Sequence, residues 1–355
     1  MLTSITIRGF RKFEELRVEN LGDVNFLLGR NGVGKTSVLE GVFAWACGQD
    51  MHSLLNVLSA RSGVSERRNP YRMMEEVRAL VRCREKIPFR MSFSGVDSGE
   101  EVQFHHTIFP SVLPEPEASS PKGTRSGSPK AIQVPVVIAR WEVERNGERV
   151  SENINVPSET VSKGNPFRVA KFMDLSSPAM SGVGQICVAL KREKLLETVS
   201  EEIRRVFPEA GDFDVDCPDN PQMPVGIRRK DGCFLPLHVC GEGIQRGFCI
   251  LGTVALSRNA ILCVDGVDTG LHPDVFMEFC RRLSGYAGDN HVQLFMTTHN
   301  MEFVDHYLNA TAKPGCTVSA GTRVITLRDI DGTVARTLSG EEAERLRTEY
   351  RMELR

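Results

Sequence analysis

The stretch Gly29-Arg30-Asn31-Gly32-Val33-Gly34-Lys35-Thr36 has the spacing G-x-x-x-x-G-K-T in full. Each residue type there has a physical reason. Glycines let successive backbone N–H groups curl around phosphate oxygens, and a helix opening at that point adds the partial positive charge of its N-terminus. Lys35 carries a point charge for the β- and γ-phosphates, and Thr36 offers a hydroxyl to Mg²⁺. Asn31, Gly32, Val33, Gly34, Lys35, Thr36 and Ser37 are therefore the candidate cradle, with ATP and Mg²⁺ as the implied ligands.

A phosphate loop needs a second strand that delivers a carboxylate to the metal. Ile261-Leu262-Cys263-Val264 followed by Asp265 has that form, which makes Thr36 and Asp265 the candidate Mg²⁺ residues. Thr297-Thr298-His299-Asn300 follows the apolar run Val292–Met296, so His299 stands at the end of a second buried strand. Upstream, Cys240-Gly241-Glu242-Gly243 opens a helical pattern whose first N–H groups suit an anion.

From Ile261 to Pro273 the chain resembles the D-E-P-E-x-G-L-H-P run of ABC-class P-loop ATPases, in the branch of overcoming-lysogenization-defect (OLD)-like and related predicted ATPases. The segment around His299 is similar to that family's switch-histidine segment, and Leu237–Arg246 looks like its signature segment. The opening Ile5–Arg11 resembles its first strand. The resemblance covers residues 1–50 and 170–338. It implies that Lys35, Asp265, Asp268 and His299 carry the hydrolysis, and that Gly241, Glu242 and Gly243 cap the γ-phosphate of a partner copy in an ATP-bound dimer. It also implies a glutamate after Asp265 to polarise the attacking water. Gly266 stands there instead, and Asp268 is the nearby acid. Losing a general base costs about 10²–10⁴-fold. Gln103 is the candidate for the loop that links nucleotide state to the insertion, and there is no room after the core for the C-terminal nuclease domain of full OLD proteins.

The elements that must position these residues follow from periodicity. The first nine residues alternate as an edge or near-edge strand that ends at Gly9-Phe10, and after a short connection Val24–Leu28 is a buried strand leading into the loop. A helix follows over Ser37–Ala46, with Val38, Val42 and Trp45 on one face. Residues 88–109 are antiparallel strands around Ser98-Gly99, and Asn146-Gly147 turns a second hairpin. Lys191–Phe207 has the period of one amphipathic helix, helices are expected over Gly243–Leu256 and Pro273–Leu283, and Ser339–Glu342 fits a capping box. The fold class expected is α/β: an ABC-type ATPase head with a mixed central sheet, an N-terminal antiparallel β-layer and a β-rich and helical insertion. The expected division is a split core at 1–84 and 170–338, an insertion at 85–169 with a flexible Pro/Ser/Gly-rich loop at 110–130, and a terminal helix at 339–355.

Composition sets the frame. The chain has 355 residues, 41% hydrophobic and 25% charged, the proportions of an ordinary globular protein. No apolar run is long enough to span a membrane and no leader pattern opens the chain, so a cytoplasmic protein is expected. The 10 cysteines are scattered without paired spacing and are expected as reduced core thiols. A formal charge of −2 disfavours bulk polyanion binding and leaves room for a local basic groove, at Arg67-Arg68 with Arg72 or at Arg228-Arg229-Lys230. Three functions stay open. One is an ATP-sandwiched homodimer, or higher homo-oligomer, that switches a separately encoded effector in anti-phage defence or DNA metabolism. The second is a DNA-binding repair-type ATPase. The third is a nucleotide-binding interaction protein that has lost turnover with Gly266.

Overall fold

The phosphate-loop strand lies third in a six-stranded mixed sheet whose order, edge to edge, is Thr333–Ser339 (β15), Thr322–Asp329 (β14), Val24–Leu28 (β3), Gln293–Thr297 (β13), Ile261–Asp265 (β12) and Ala170–Asp174 (β8). Only β15 runs antiparallel to its neighbour. The computed structural model describes residues 1–50, 53, 55, 57, 78–82, 88–110, 139–154, 165–175, 183–215, 225–229, 232–311, 321–330 and 332–354. From residue 111 on, the loop expected at 110–130 lies outside them, as do Arg67, Arg68, Arg72 and Lys230.

A second six-stranded sheet is wholly antiparallel. It begins with Leu2–Phe10 (β1) and Phe13–Val18 (β2), and it continues through Phe89–Asp97 (β4), Glu100–Pro110 (β5), Ala139–Arg145 (β6) and Glu148–Ile154 (β7) in the order β2-β1-β4-β5-β6-β7. The short connection expected after Phe10 is thus mostly a strand. Arg11 adopts φ of +53° and turns the chain, so that Phe10 pairs with Phe13. Gln103 lies in β5 opposite Ser94, inside this sheet. A small third sheet joins Asp212–Val215 (β9), Val225–Arg228 (β10) and Phe234–Pro236 (β11).

Helix α1, Lys35–Cys47, is held between the two large sheets. One apolar cluster gathers Ile5, Ile7 and Phe93 from the antiparallel sheet, Val38, Val42 and Trp45 from α1, and Ile261, Cys263 and Phe295 from the mixed sheet. Packing on both sides buries α1 all round, rather than along the one stripe that Val38, Val42 and Trp45 suggest. Gly41 is required here: a Cβ at that position would stand 2.4 Å from Ile7 Cδ1.

The opposite face of the mixed sheet is covered by Glu242–Ala255 (α4), Pro273–Asp289 (α5) and Met301–Thr311 (α6), with Val183–Arg192 (α2) and Leu196–Val206 (α3) beside them. The single helix expected over Lys191–Phe207 is two. The chain breaks at Lys194, where φ is +59°, and Leu195 donates its N–H back to Leu190. The apolar face of Val199, Ile203 and Val206 survives because the second helix still faces the core. Gly340–Thr348 (α7) opens with the expected capping box, Ser339 accepting from Glu342 N–H while Glu342 reaches back to Ser339.

The two sheets are tied by Gln293, nearly fully buried at the start of β13. Its amide accepts from Leu2 N–H at 3.1 Å and donates to Leu2 O at 2.7 Å and Gly22 O at 2.8 Å. The other side is tied by Thr337 Oγ1, which donates to Glu19 O at 2.9 Å.

Candidate nucleotide site

The loop between β3 and α1 takes the conformation its glycines permit. Gly29, Gly32 and Gly34 have φ of +140°, +75° and +108°, in a region that side chains strain to enter. Gly34 is the last residue before α1, and its carbonyl accepts from Val38 N–H at 2.9 Å. The helix therefore starts where a phosphate would rest. Lys35 is buried, and its Nζ donates to the carbonyls of Gly29 at 2.8 Å and Arg30 at 3.1 Å, folding the side chain back over the loop. Burial lowers the Lys35 pKa from its ordinary value, and Asp265 opposes that shift. Val33 turns its side chain into the core, so only its backbone is available to a ligand. Asn31 and Gly32 stay exposed at the mouth.

Asp265 ends β12 where the sequence places it. One carboxylate oxygen accepts from Thr36 Oγ1 at 2.7 Å, the other accepts from Thr297 Oγ1, and Thr297 Oγ1 in turn accepts from Gly266 N–H at 2.8 Å. Thr36 and Asp265 thus present hard oxygen ligands to one point beside the loop. Mg²⁺ is commonly held by one or two protein oxygens and completed by phosphate and water. The pair fits that ion, and when bound the ion would neutralise charge on the β- and γ-phosphates. Gly266 has φ of +74°, a left-handed conformation that a glutamate would adopt only with strain.

A cleft of about 620 Å³ is lined by Asn31, Gly32, Gly34, Lys35, Thr36, Ser37, Asp265 and His299 together with Arg11, Lys12, Ala79, Val81 and Arg82. The structure therefore brings the cradle, Asp265 and the exposed His299 into one place. Asp268 and Gly241–Gly243 do not line this cleft. Asp268 sits in the turn after β12, its carbonyl accepting from Leu271 N–H at 3.2 Å. Gly241 is the exposed cap of α4, and Glu242 pairs with Arg246 one turn on. The two segments touch each other: a Cβ on Gly243 would lie 3.1 Å from Gly270 O, and one on Gly270 would lie 3.0 Å from Glu242 Cγ. They form one outward surface separate from the cleft.

Arg11 and Lys12 are cleft residues that the motif reading did not place there. Arg11 holds buried Glu40 of α1 with two bonds, at 2.9 and 3.0 Å, and donates to Ala79 O at 3.3 Å. Lys12 Nζ donates to Gly32 O at 3.2 Å and pairs with Asp329 at 2.9 Å. The pair Arg11-Lys12 directly after the first strand is the only sequence signal for them. Of the basic residues weighed for DNA, Arg228 is paired with Asp214 at 3.4 Å and stands over the Phe234 ring. Among the described residues, no helix is long and apolar enough to cross a membrane.

Residues 4–169 match the domain family described as "AAA domain", and residues 210–305 match the one described as "AAA domain, putative AbiEii toxin, Type IV TA system". An ATP/GTP phosphatase of Helicobacter pylori is 20% identical, the match covering 86% of this chain and 87% of that protein. The DNA replication and repair protein RecF of Edwardsiella ictaluri is 45% identical over 53 residues, 15% of each chain. Among solved structures, the SmcHead bound to the C-winged helix domain of ScpA superposes with a TM-score of 0.56 at 12% identity, covering 96% of this chain and 98% of that one. An Smc head domain with an extended coiled coil, bound to the C-terminal domain of ScpA derived from Pyrococcus furiosus, gives 0.56 at 12%, covering 99% and 100%. The cradle falls within the first matched stretch and the acid strand within the second, so both motifs lie in segments similar to AAA-type P-loop ATPase domains, and the fold is that of ABC/SMC-type ATPase heads.

Proposed function

We propose that the chain is an ATP-binding and ATP-hydrolysing switch of the OLD-like type, closing as a pair around two Mg·ATP and signalling its state to a separately encoded effector. The observation that carries nucleotide chemistry is the bond between Thr36 Oγ1 and Asp265, made beside the Gly29–Thr36 loop with buried Lys35. The pairing rests on the outward surface. Gly241–Gly243 and the turn carrying Asp268 lie together and away from their own cleft, which is the placement needed to close the cleft of a second copy. In that pair, N–H groups at the start of α4 would meet the partner's γ-phosphate, and His299 and Lys35 would contact it from its own side. Asp268 would act across the interface.

An effector protein fits two features. The structurally similar Smc heads are bound to domains of ScpA, and Val239 stands 56% exposed next to the proposed closing surface. Anti-phage defence and DNA metabolism are the processes this reading favours; the toxin-system description of residues 210–305 supports the first, and the RecF match the second.

Light scattering tests the pairing. Added Mg·ATP should double the apparent mass, and a Gly241→Trp, Gly243→Trp double variant should remain single while still binding nucleotide. A wild-type protein that stays monomeric at saturating Mg·ATP removes the sandwich.

A further inference from the structure

Side chains alternate across a sheet, and on β8 that alternation places a lysine among helices. Ala170 and Phe172 pack against the α1 cluster, while Met173 packs on the opposite face, which the helices cover. Lys171 shares that second face. It is half-buried, and its Nζ reaches the end of α4, donating to Leu256 O at 3.4 Å. Helix α2 lies close against α4 beside it: a Cβ on Gly252 would stand 2.9 Å from Ile186 and 3.0 Å from Leu190. The left-handed turn at Lys194 then ends the run of α2 and sets Leu195 back toward the core.

These segments enclose a cavity of about 1030 Å³ that shares no residue with the nucleotide cleft. Val188, Leu195 and Leu256 give it an aliphatic wall, and Lys171, Arg192 and Arg258 give it three cations. Among the described residues no carboxylate pairs with any of the three. Burial lowers the Lys171 pKa, and no neighbouring acid opposes the shift. Glu193 is the single acid on the described wall, and it is exposed. Three cations against Glu193 leave two positive charges. Helices α2 and α4 both end at the cavity, and two helix C-termini return about one negative charge between them. The remainder, about one positive charge, suits a single carboxylate and is too small for a phosphate dianion. The described wall also has no aromatic ring on which a base could stack. The volume is at the top of the range for small-ligand sites, and Arg192 and Arg258 stand exposed at its rim, so an extended chain can cross it.

We propose that this cavity binds an acidic peptide segment of a partner protein. One glutamate or aspartate carboxylate is held by Lys171, Arg192 and Arg258 through charge-assisted hydrogen bonds, and aliphatic neighbours in the peptide lie against Val188, Leu195 and Leu256. Helix α4 runs about 20 Å from Gly241–Gly243 to this cavity. A partner seated here is therefore at the far end of the helix that meets the γ-phosphate in the pairing described above. That link rests on the switch reading; the cavity does not.

The probes are fluorescein-labelled peptides with one glutamate between leucine and valine residues, matched by glutamine and phosphoserine versions and titrated by fluorescence anisotropy. Glutamate peptides should bind wild type, and glutamine versions at least about tenfold more weakly. Lys171→Met should also lose at least about tenfold. Its melting temperature should not fall, because methionine keeps the packing of the stem and removes a half-buried charge. The double variant Arg192→Gln, Arg258→Gln changes only exposed side chains and should show the same loss. Lys191→Gln should bind as wild type, since Lys191 is held by Asp214 at 3.0 Å and does not line the cavity. Lys35→Ala should bind as wild type too, so a failure of the nucleotide reading leaves this result standing. No binding to wild type up to about 1 mM overturns the proposal. So do equal affinities for glutamate and glutamine peptides, or a Lys171→Met affinity within about threefold of wild type. Tighter binding of the phosphoserine version overturns it in favour of a phosphate site, displacement by duplex DNA in favour of nucleic acid, and hexanoate binding as tightly as the peptide in favour of a small organic acid.

Discussion

The mixed and antiparallel sheets lie on opposite sides of α1 and contain six strands each, but their strand ends differ in kind. In the mixed sheet, β3 runs into the phosphate loop, β12 ends in Asp265, β13 in Thr297 and β8 in Asp174, all at the same end because the strands are parallel. In the antiparallel sheet the strands alternate in direction, and β4 and β6 end in tight turns at Ser98-Gly99 and Asn146-Gly147. A parallel sheet collects polar strand ends on one edge, whereas an antiparallel one scatters them. One sheet thus carries the proposed chemistry. The other supplies a wall that buries the second face of α1 and, through Arg11 and Lys12 after β1, the outer lip of the cleft. Changes at the mixed sheet's loop edge should remove activity and leave the fold, and changes behind the antiparallel sheet should do the reverse.

The sharpest test of that division is Lys35→Ala. The side chain is buried and, among the described residues, donates to the loop carbonyls of Gly29 and Arg30, so the fold should lose little while the phosphates lose their fixed charge. Saturating wild type with Mg·ATP at a hundred times its dissociation constant should add about 2.7 kcal/mol of stability. Lys35→Ala should lose that increment and fall at least about 10²-fold in phosphate release, with an unliganded melting temperature near wild type. An unliganded variant that melts far below wild type would mean that the loop is also a structural keystone.

Gln293→Leu breaks the comparison at the joint between the sheets. It leaves Leu2 N–H, Leu2 O and Gly22 O without their partner in a buried place. One unsatisfied buried group costs about 1–3 kcal/mol, so a loss of about 3 kcal/mol for the three is expected in urea unfolding. Residual folded protein should still bind Mg·ATP, because β13 keeps its other end at Thr297. Loss of nucleotide affinity in the folded fraction would show that the sheets are not separable in this way.

The same division explains what the sequence made legible. The cradle was readable because its chemistry is contiguous, eight residues at fixed spacing with a strand before and a helix after. Asp265 was readable because four apolar residues lead directly to it. Lys171 carries no such mark: Ala-Lys-Phe-Met-Asp is an unremarkable stretch, and its place beneath α2 and α4 exists only through a parallel pairing with a strand far along the chain. Arg11 and Lys12 reach the cleft only because the antiparallel sheet packs across α1. The all-round burial of α1 has the same origin. The break at Lys194 was hidden because Lys191-Arg192-Glu193-Lys194 carries no apolar residue to mark a change of face, and periodicity does not register a single left-handed residue.

His106 offers the smallest effect and tests the antiparallel wall alone. It is fully buried in β5, where its Nδ1 accepts from Trp141 Nε1 at 3.2 Å and its Nε2 has no hydrogen-bond partner. The Phe93 ring packs edge-on at 5.5 Å. Burial, with a smaller push from His105, lowers its pKa from 6.5 to about 3. The folded chain keeps the imidazole neutral at pH values where the unfolded chain protonates it. The sign follows: the contribution to stability is complete above about pH 6.5 and is lost as the pH falls from there toward 3, by up to about 1.4 kcal/mol per pH unit. Between pH 7 and pH 5 this single residue should account for about 2 kcal/mol of lost stability. Urea unfolding of wild type and His106→Phe at the two pH values measures it. The variant should be less stable at pH 7, because Trp141 N–H loses its acceptor, and should show the smaller drop at pH 5. Equal drops would place the acid sensitivity elsewhere, and a matching fall in Mg·ATP affinity at pH 5 in wild type alone would mean that the wall reports into the cleft after all.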